Sequence, residues 1–142
     1  MSTRILLYAS WAISLLATVG SLYASEIIKF PPCVLCWYQR IAMYPLTVIL
    51  LVGILTKDKN VPLFVLPLSI VGGAVALFHY LLQRGVIPES AGPCILGISC
   101  TRTYVEWFGF VTIPFLSMLA FVFITLSMIV VLRYNSSLWR KK

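Results

Sequence analysis

Residues Phe30 to Arg40 read FPPCVLCWYQR, placing two prolines, two cysteines and an arginine within eleven positions. Long apolar runs flank this stretch: Ile5 to Ser25 carries no charge, and Trp37 to Thr56 is interrupted only by Arg40. About 20 apolar residues suffice to cross a hydrocarbon core of roughly 30 Å, so the stretch reads as the junction between two membrane spans. Val61 to Gln83 and Trp107 to Leu132 supply a third and a fourth. The expected fold is all-α, a four-transmembrane-helix bundle forming a single domain over residues 1–142. The first run is too long for a signal peptide, whose apolar region is about 7 to 15 residues, and the small residues near Tyr23 and Ala24 fit a cleavage site poorly. Pro45, Pro67 and Pro114 fall inside these spans and predict kinks, with the freed carbonyls satisfied by neighbouring helices.

The composition agrees. The chain has 142 residues, 61% hydrophobic and 11% charged, against roughly 25% charged in ordinary soluble domains. A formal charge of +7 suggests a nucleic-acid partner only if gathered on one surface, and here it is scattered at the ends of apolar runs, so no nucleic acid is expected. The scatter has a direction. Arg4, Lys57, Lys59, Arg133, Arg140, Lys141 and Lys142 fall on one side of a four-span protein, and Lys29, Arg40, Arg84 and Arg102 on the other. The excess of basic residues marks the cytoplasmic side and holds both termini. The protein is then expected in the cell membrane, multi-pass, with two extracytoplasmic loops that carry all four cysteines. Disulfides persist in that compartment.

Small and hydroxyl residues recur at helical spacing on the first span (Ser10, Ser14, Thr18, Ser21, Ser25) and on the third (Ser69, Gly72, Gly73, Ala76). Such stripes let helices approach closely in lipid and are read as packing seams.

Cys33 and Cys36 form a C-x-x-C pair, and Cys94 and Cys100 a C-x5-C pair in the second outer loop. Three chemistries compete. A four-cysteine zinc site prefers two pairs separated by two to four residues. Two inert staples would add little, because disulfide stabilisation grows with the length of the loop closed. Thiol–disulfide exchange fits the electrostatics better. Pro31 and Pro32 place Cys36 at or just before the first turn of the second helix, with Arg40 one turn on, and both the helix N-terminus and the guanidinium favour a thiolate. The second pair lies among Pro88, Gly92, Pro93 and Gly97, which predicts a mobile, exposed loop able to meet a soluble partner. Arg40 also reads as a snorkelling residue. His79, the only histidine, reads either as an interfacial anchor or, with Arg40, as a hydrogen-bond donor to a quinone-like ring. Trp37, Tyr38, Tyr104, Trp107 and Phe108 read either as walls of such a pocket or as an aromatic belt.

The segment Cys33-Val34-Leu35-Cys36-Trp37-Tyr38-Gln39-Arg40 resembles the signature of the bacterial disulfide bond formation protein B (DsbB) family. The resemblance covers nearly the whole chain: four spans, two outer loops with a cysteine pair in each, and a short inner turn. The short second pair is similar to the BdbC-like branch. What the resemblance implies is a membrane thiol:quinone oxidoreductase that re-oxidises an extracytoplasmic thioredoxin-like thiol oxidase (DsbA- or BdbD-like) and so supports disulfide formation in secreted proteins. It implies menaquinone or ubiquinone as the acceptor and no metal. Carried over by position, Cys94 would form the mixed disulfide with the partner, and Cys100 would be its pair-mate. Cys36 would face the quinone with Cys33 as the other half of that pair, and Arg40 and His79 would bind the quinone. The class of function set against this is a non-catalytic zinc-binding or disulfide-stapled membrane scaffold.

Overall fold

The structure, a computed structural model, describes residues 3–94, 98–103 and 106–139. Gly97, Tyr104, Arg140, Lys141 and Lys142 lie outside the described residues, as does the side chain of Trp107. Four helices carry the fold: α1 (Thr3–Glu26), α2 (Val34–Thr56), α3 (Val61–Gln83) and α4 (Ile113–Trp139). All four are long and apolar enough to cross a membrane, so the chain is a multi-pass membrane protein. Among the described residues, a 3-10 turn, Glu89–Ala91, and a two-stranded antiparallel ribbon, β1 (Glu106–Trp107) with β2 (Val111–Thr112), lie between α3 and α4.

That ribbon corrects the fourth span, expected from Trp107. Phe108 and Gly109 both take positive φ, 54° and 75°, and reverse the chain into a hairpin, so apolar character here does not mean helix. The helix starts at Ile113, which puts Pro114 in its first turn. There a missing N–H costs nothing, and no kink is required. Pro45 and Pro67 do lie inside α2 and α3.

Each helix packs on two others, α1 against α2 and α4, and α3 against α2 and α4. Helices consecutive in sequence are therefore neighbours, and the ring closes between the first and the last. Leu46, Leu50, Val65, Phe121, Ile124 and Met128 fill its centre. In lipid this association rests on close packing and interhelical hydrogen bonds rather than on expulsion of water. The two small-residue stripes supply both. Ser10 and Ser14 are fully buried, Thr18 and Thr47 hydroxyls meet across α1 and α2 at 3.1 Å, and Thr125 Oγ1 donates to Ser69 Oγ at 2.9 Å between α4 and α3. A Cβ on Gly72 would collide with the Phe121 ring, so glycine is what lets α4 seat its phenylalanine.

At one end of the bundle, Lys57 adopts the left-handed conformation that closes α2, and Asp58 Oδ1 accepts from the Asn60 amide at 2.9 Å. Asn135 of α4 donates to the Lys59 carbonyl at 3.1 Å. The opposite end holds a second buried cluster made of Cys33, Leu35, Leu82, Cys94 and Cys100.

Candidate active site

The Pro31-Pro32 dipeptide cannot continue a helix, and α2 begins directly after it. Cys33 is the N-cap, extended at φ −74° and ψ 172°, and its sulfur accepts the Cys36 amide at 3.4 Å. This shifts the electrostatic assignment made from the sequence. The sulfur turned toward the free amides of the helix start is Cys33, because the capping position, not the first turn beyond it, faces those N–H groups. The Cys33 and Cys36 sulfurs are hydrogen-bonded to each other at 3.0 Å. That bond is the largest influence lowering the Cys33 pKa below the ordinary thiol value; burial opposes it, and His79 and the Cys36 amide add to it. Both cysteines are free thiols.

His79 comes in from α3, 3% exposed. Gln39 Nε2 donates to its Nδ1 at 3.0 Å, which leaves the ring proton on Nε2. That N–H points at the Cys100 carbonyl at 3.1 Å and at the Cys33 sulfur at 3.7 Å. One imidazole edge thus touches both cysteine pairs. Cys94 and Cys100 are joined as a disulfide with Cα atoms 5.8 Å apart.

The second pair is not exposed as its proline and glycine content predicted. Cys94 is 4% and Cys100 1% accessible. Glu89, in the 3-10 turn, accepts hydrogen bonds from the hydroxyls of Ser99 and Thr101 and ties the two sides of the loop together. Gly92 sits close against Leu82, lowering the loop onto the end of α3.

Two cavities flank this end of α2. The larger, about 240 Å³, is lined by Leu22, Phe30, Pro32, Trp37, Arg40 and Tyr44 among others. The Arg40 guanidinium donates there to Ser25 Oγ at 3.1 Å and to the Ser21 carbonyl at 3.0 Å, and lies 5.5 Å from the Trp37 ring centroid. The end of the first-span serine stripe thus anchors an arginine, a role its packing pattern did not disclose. The Tyr44 hydroxyl is buried with no hydrogen-bond partner among the described residues. The smaller cavity, about 30 Å³, is lined by Cys33, Cys36, His79, Gln83, Ser99 and Arg102, with Ile113 and Pro114.

Arg40 and His79, expected to grip one ring together, therefore line different cavities on different sides of α2. Trp37 is a cavity wall. Tyr38 and Phe108 line neither cavity and are exposed. Gln39, Tyr44 and Gln83 were not singled out from the sequence, although a glutamine next to an arginine inside an apolar helix was a visible signal.

A four-helix membrane bundle with a free C-x-x-C at a helix start, packed against a disulfide in the next loop, defines a disulfide-forming membrane oxidoreductase. The sequence model described as "Disulfide bond formation protein DsbB" matches residues 3–131, and the chain belongs to that family. It is 50% identical over 131 residues to Disulfide bond formation protein C of Bacillus subtilis (strain 168), covering 90% of this chain and 94% of that one. It is 47% identical over 128 residues to a Probable disulfide formation protein C of Halalkalibacterium halodurans, covering 90% and 93%. It is 40% identical over 129 residues to a Probable disulfide formation protein of Metapseudomonas resinovorans, covering 90% of each chain. No solved structure matches it.

Proposed function

We propose that the protein takes electrons from an extracytoplasmic thioredoxin-like dithiol oxidase and passes them through its two cysteine pairs to a membrane quinone. The observation that carries this reading is the shared buried cluster of the two pairs, one a disulfide and one a dithiol, with His79 in contact with both. Exchange between them needs no metal and no nucleotide. A reduced partner attacks at Cys94, and the Cys94 and Cys100 thiols then reduce a Cys33–Cys36 disulfide, regenerating their own. The described state follows that transfer. Cys33 is held as the stabilised thiolate by its hydrogen bond with Cys36, by His79 and by the helix start, and His79 Nε2 carries a proton between the pairs. Oxidation of this pair restores its disulfide and releases two electrons and the Cys36 proton, the second proton having left when Cys33 became a thiolate.

The larger cavity fits a quinone head. Its walls are apolar and aromatic, and it offers two donors, the Arg40 guanidinium and the unpartnered Tyr44 hydroxyl, for a ring oxygen. A bound quinone supplies the two-electron, two-proton sink. Cys36, one helical turn before Arg40, is the thiol that hands electrons to the quinone, although the cavity it lines is the smaller one. In this reading residues 1–142 form one domain with both termini in the cytoplasm and the cysteine end outside, which the distribution of Lys and Arg supports. The test is thiol trapping in membranes: the cysteines shift to the reduced form when respiration is blocked and return on addition of quinone. Cysteines indifferent to quinone would sink the reading.

A further inference from the structure

We propose that the dithiol form is also a metal site, in which Cys33 Sγ, Cys36 Sγ and His79 Nε2 capture one zinc ion and lock the protein in its reduced state. The three ligand atoms lie within 4.8 Å of one another. Tetrahedral zinc with Zn–S about 2.3 Å and Zn–N about 2.0 Å needs sulfurs about 3.8 Å apart and sulfur to nitrogen about 3.6 Å. The sulfurs stand at 3.0 Å and Cys33 Sγ to His79 Nε2 at 3.7 Å, so the site forms by opening the sulfur pair and turning Cys36, which is only half-buried.

A fourth ligand has a place. The adjoining cavity of about 30 Å³ has room for one water, which needs on the order of 10–15 Å³. Gln83 Oε1, on its wall, is buried with no hydrogen-bond partner among the described residues, and accepts from that water. Zinc displaces the Nε2 proton, which moves to Nδ1; Gln39 then turns its amide to accept it through Oε1. The thiol protons leave to solvent. Two thiolates neutralise the dication, so the occupied site adds no net charge beside Arg102 at the same cavity.

This is not the four-cysteine site considered from the sequence, because Cys94 and Cys100 are spent on each other. It is redox-gated. A Cys33–Cys36 disulfide offers no thiolate, so only the reduced protein binds, and a zinc-bound pair must release its metal before the disulfide can form.

The experiment uses the full-length protein in detergent with Cys94→Ser and Cys100→Ser, so that only the first pair responds, and cobalt as a spectroscopic stand-in. The expected result is about one equivalent bound to the reduced form with thiolate-to-cobalt charge-transfer bands and tetrahedral absorption, displaced by zinc and absent after oxidation of the pair. His79→Ala and His79→Gln should each weaken zinc binding about tenfold or more and alter the cobalt spectrum; the second keeps a polar side chain should the first misfold. Octahedral cobalt only, less than about a tenth of an equivalent, equal binding by the oxidised form, or affinity unchanged in both folded His79 variants would overturn the proposal. These readouts involve neither quinone nor partner, so their failure is separate from failure of the electron relay.

Discussion

Removing the imidazole should make Cys33 a poorer thiolate, by an amount the geometry bounds. His79 Nε2 lies 3.7 Å from the Cys33 sulfur in a setting where the histidine is 3% exposed and screening is slight. A hydrogen bond to a charged group contributes about 1.5–3 kcal/mol. At 3.7 Å the lower end applies, and about 1.4 kcal/mol is one pKa unit. His79→Ala should therefore raise the Cys33 pKa by about one unit, lowering the thiolate fraction about tenfold at any pH below both values. Gln39→Leu should move it the same way by less, since the ring stays but nothing fixes its proton on Nε2. The assay is the pH dependence of Cys33 alkylation in the reduced protein carrying Cys94→Ser and Cys100→Ser, read by mass spectrometry of the cysteine peptide. The sign is fixed: a raised pKa carries the alkylation profile toward alkaline pH. Profiles superimposable on that of the parent protein would refute the role assigned to His79, and a shift in His79→Ala with none in Gln39→Leu would refute the tautomer argument alone.

Arg40→Ala and Tyr44→Phe should each raise the apparent KM for quinone, Arg40→Ala about tenfold or more, with little change in the KM for the thiol partner; steady-state kinetics with each substrate varied in turn will show it. Cys94→Ser should abolish the mixed disulfide with the partner, whereas Cys36→Ser should preserve capture and stop electron delivery, which non-reducing gels and quinone reduction resolve separately. Glu89→Ala removes the acceptor of Ser99 and Thr101, so the loop should open more readily and the Cys94–Cys100 disulfide should be reduced several-fold faster by a small soluble dithiol, read by stopped thiol trapping.

Four spans were legible because length and apolarity alone define them, and Val61–Gln83 matches its sequence bounds. The fourth helix was misplaced at its start because Trp107 to Thr112 is as apolar as a helix, while its path is set by the turn at Phe108 and Gly109. The cysteine pairs were legible as redox chemistry, but the sulfur that caps the helix is that of Cys33 and not of Cys36. Two prolines announce a helix start without fixing which of the next residues caps it, and the choice decides which sulfur meets the amides. Arg40 and His79 were expected on one ligand for want of helix order. Successive residues of a helix diverge by about 100°, so Gln39 turns to α3 and Arg40 to α1. No local pattern reveals which neighbour lies on which side. The burial of Cys94 and Cys100 was hidden for a similar reason, because it depends on Glu89 reaching across the loop and on Gly92 meeting Leu82.

The central claim is that the two cysteine pairs form one relay from thiol to quinone. Its most direct measurement is oxidation of a reduced thioredoxin-like partner by the purified full-length protein with added quinone. Catalytic turnover is expected, with one quinol formed for each partner disulfide, and is lost in Cys33→Ser, Cys36→Ser, Cys94→Ser and Cys100→Ser alike. Partner oxidation that proceeds without quinone, or survives the loss of either pair, would contradict it.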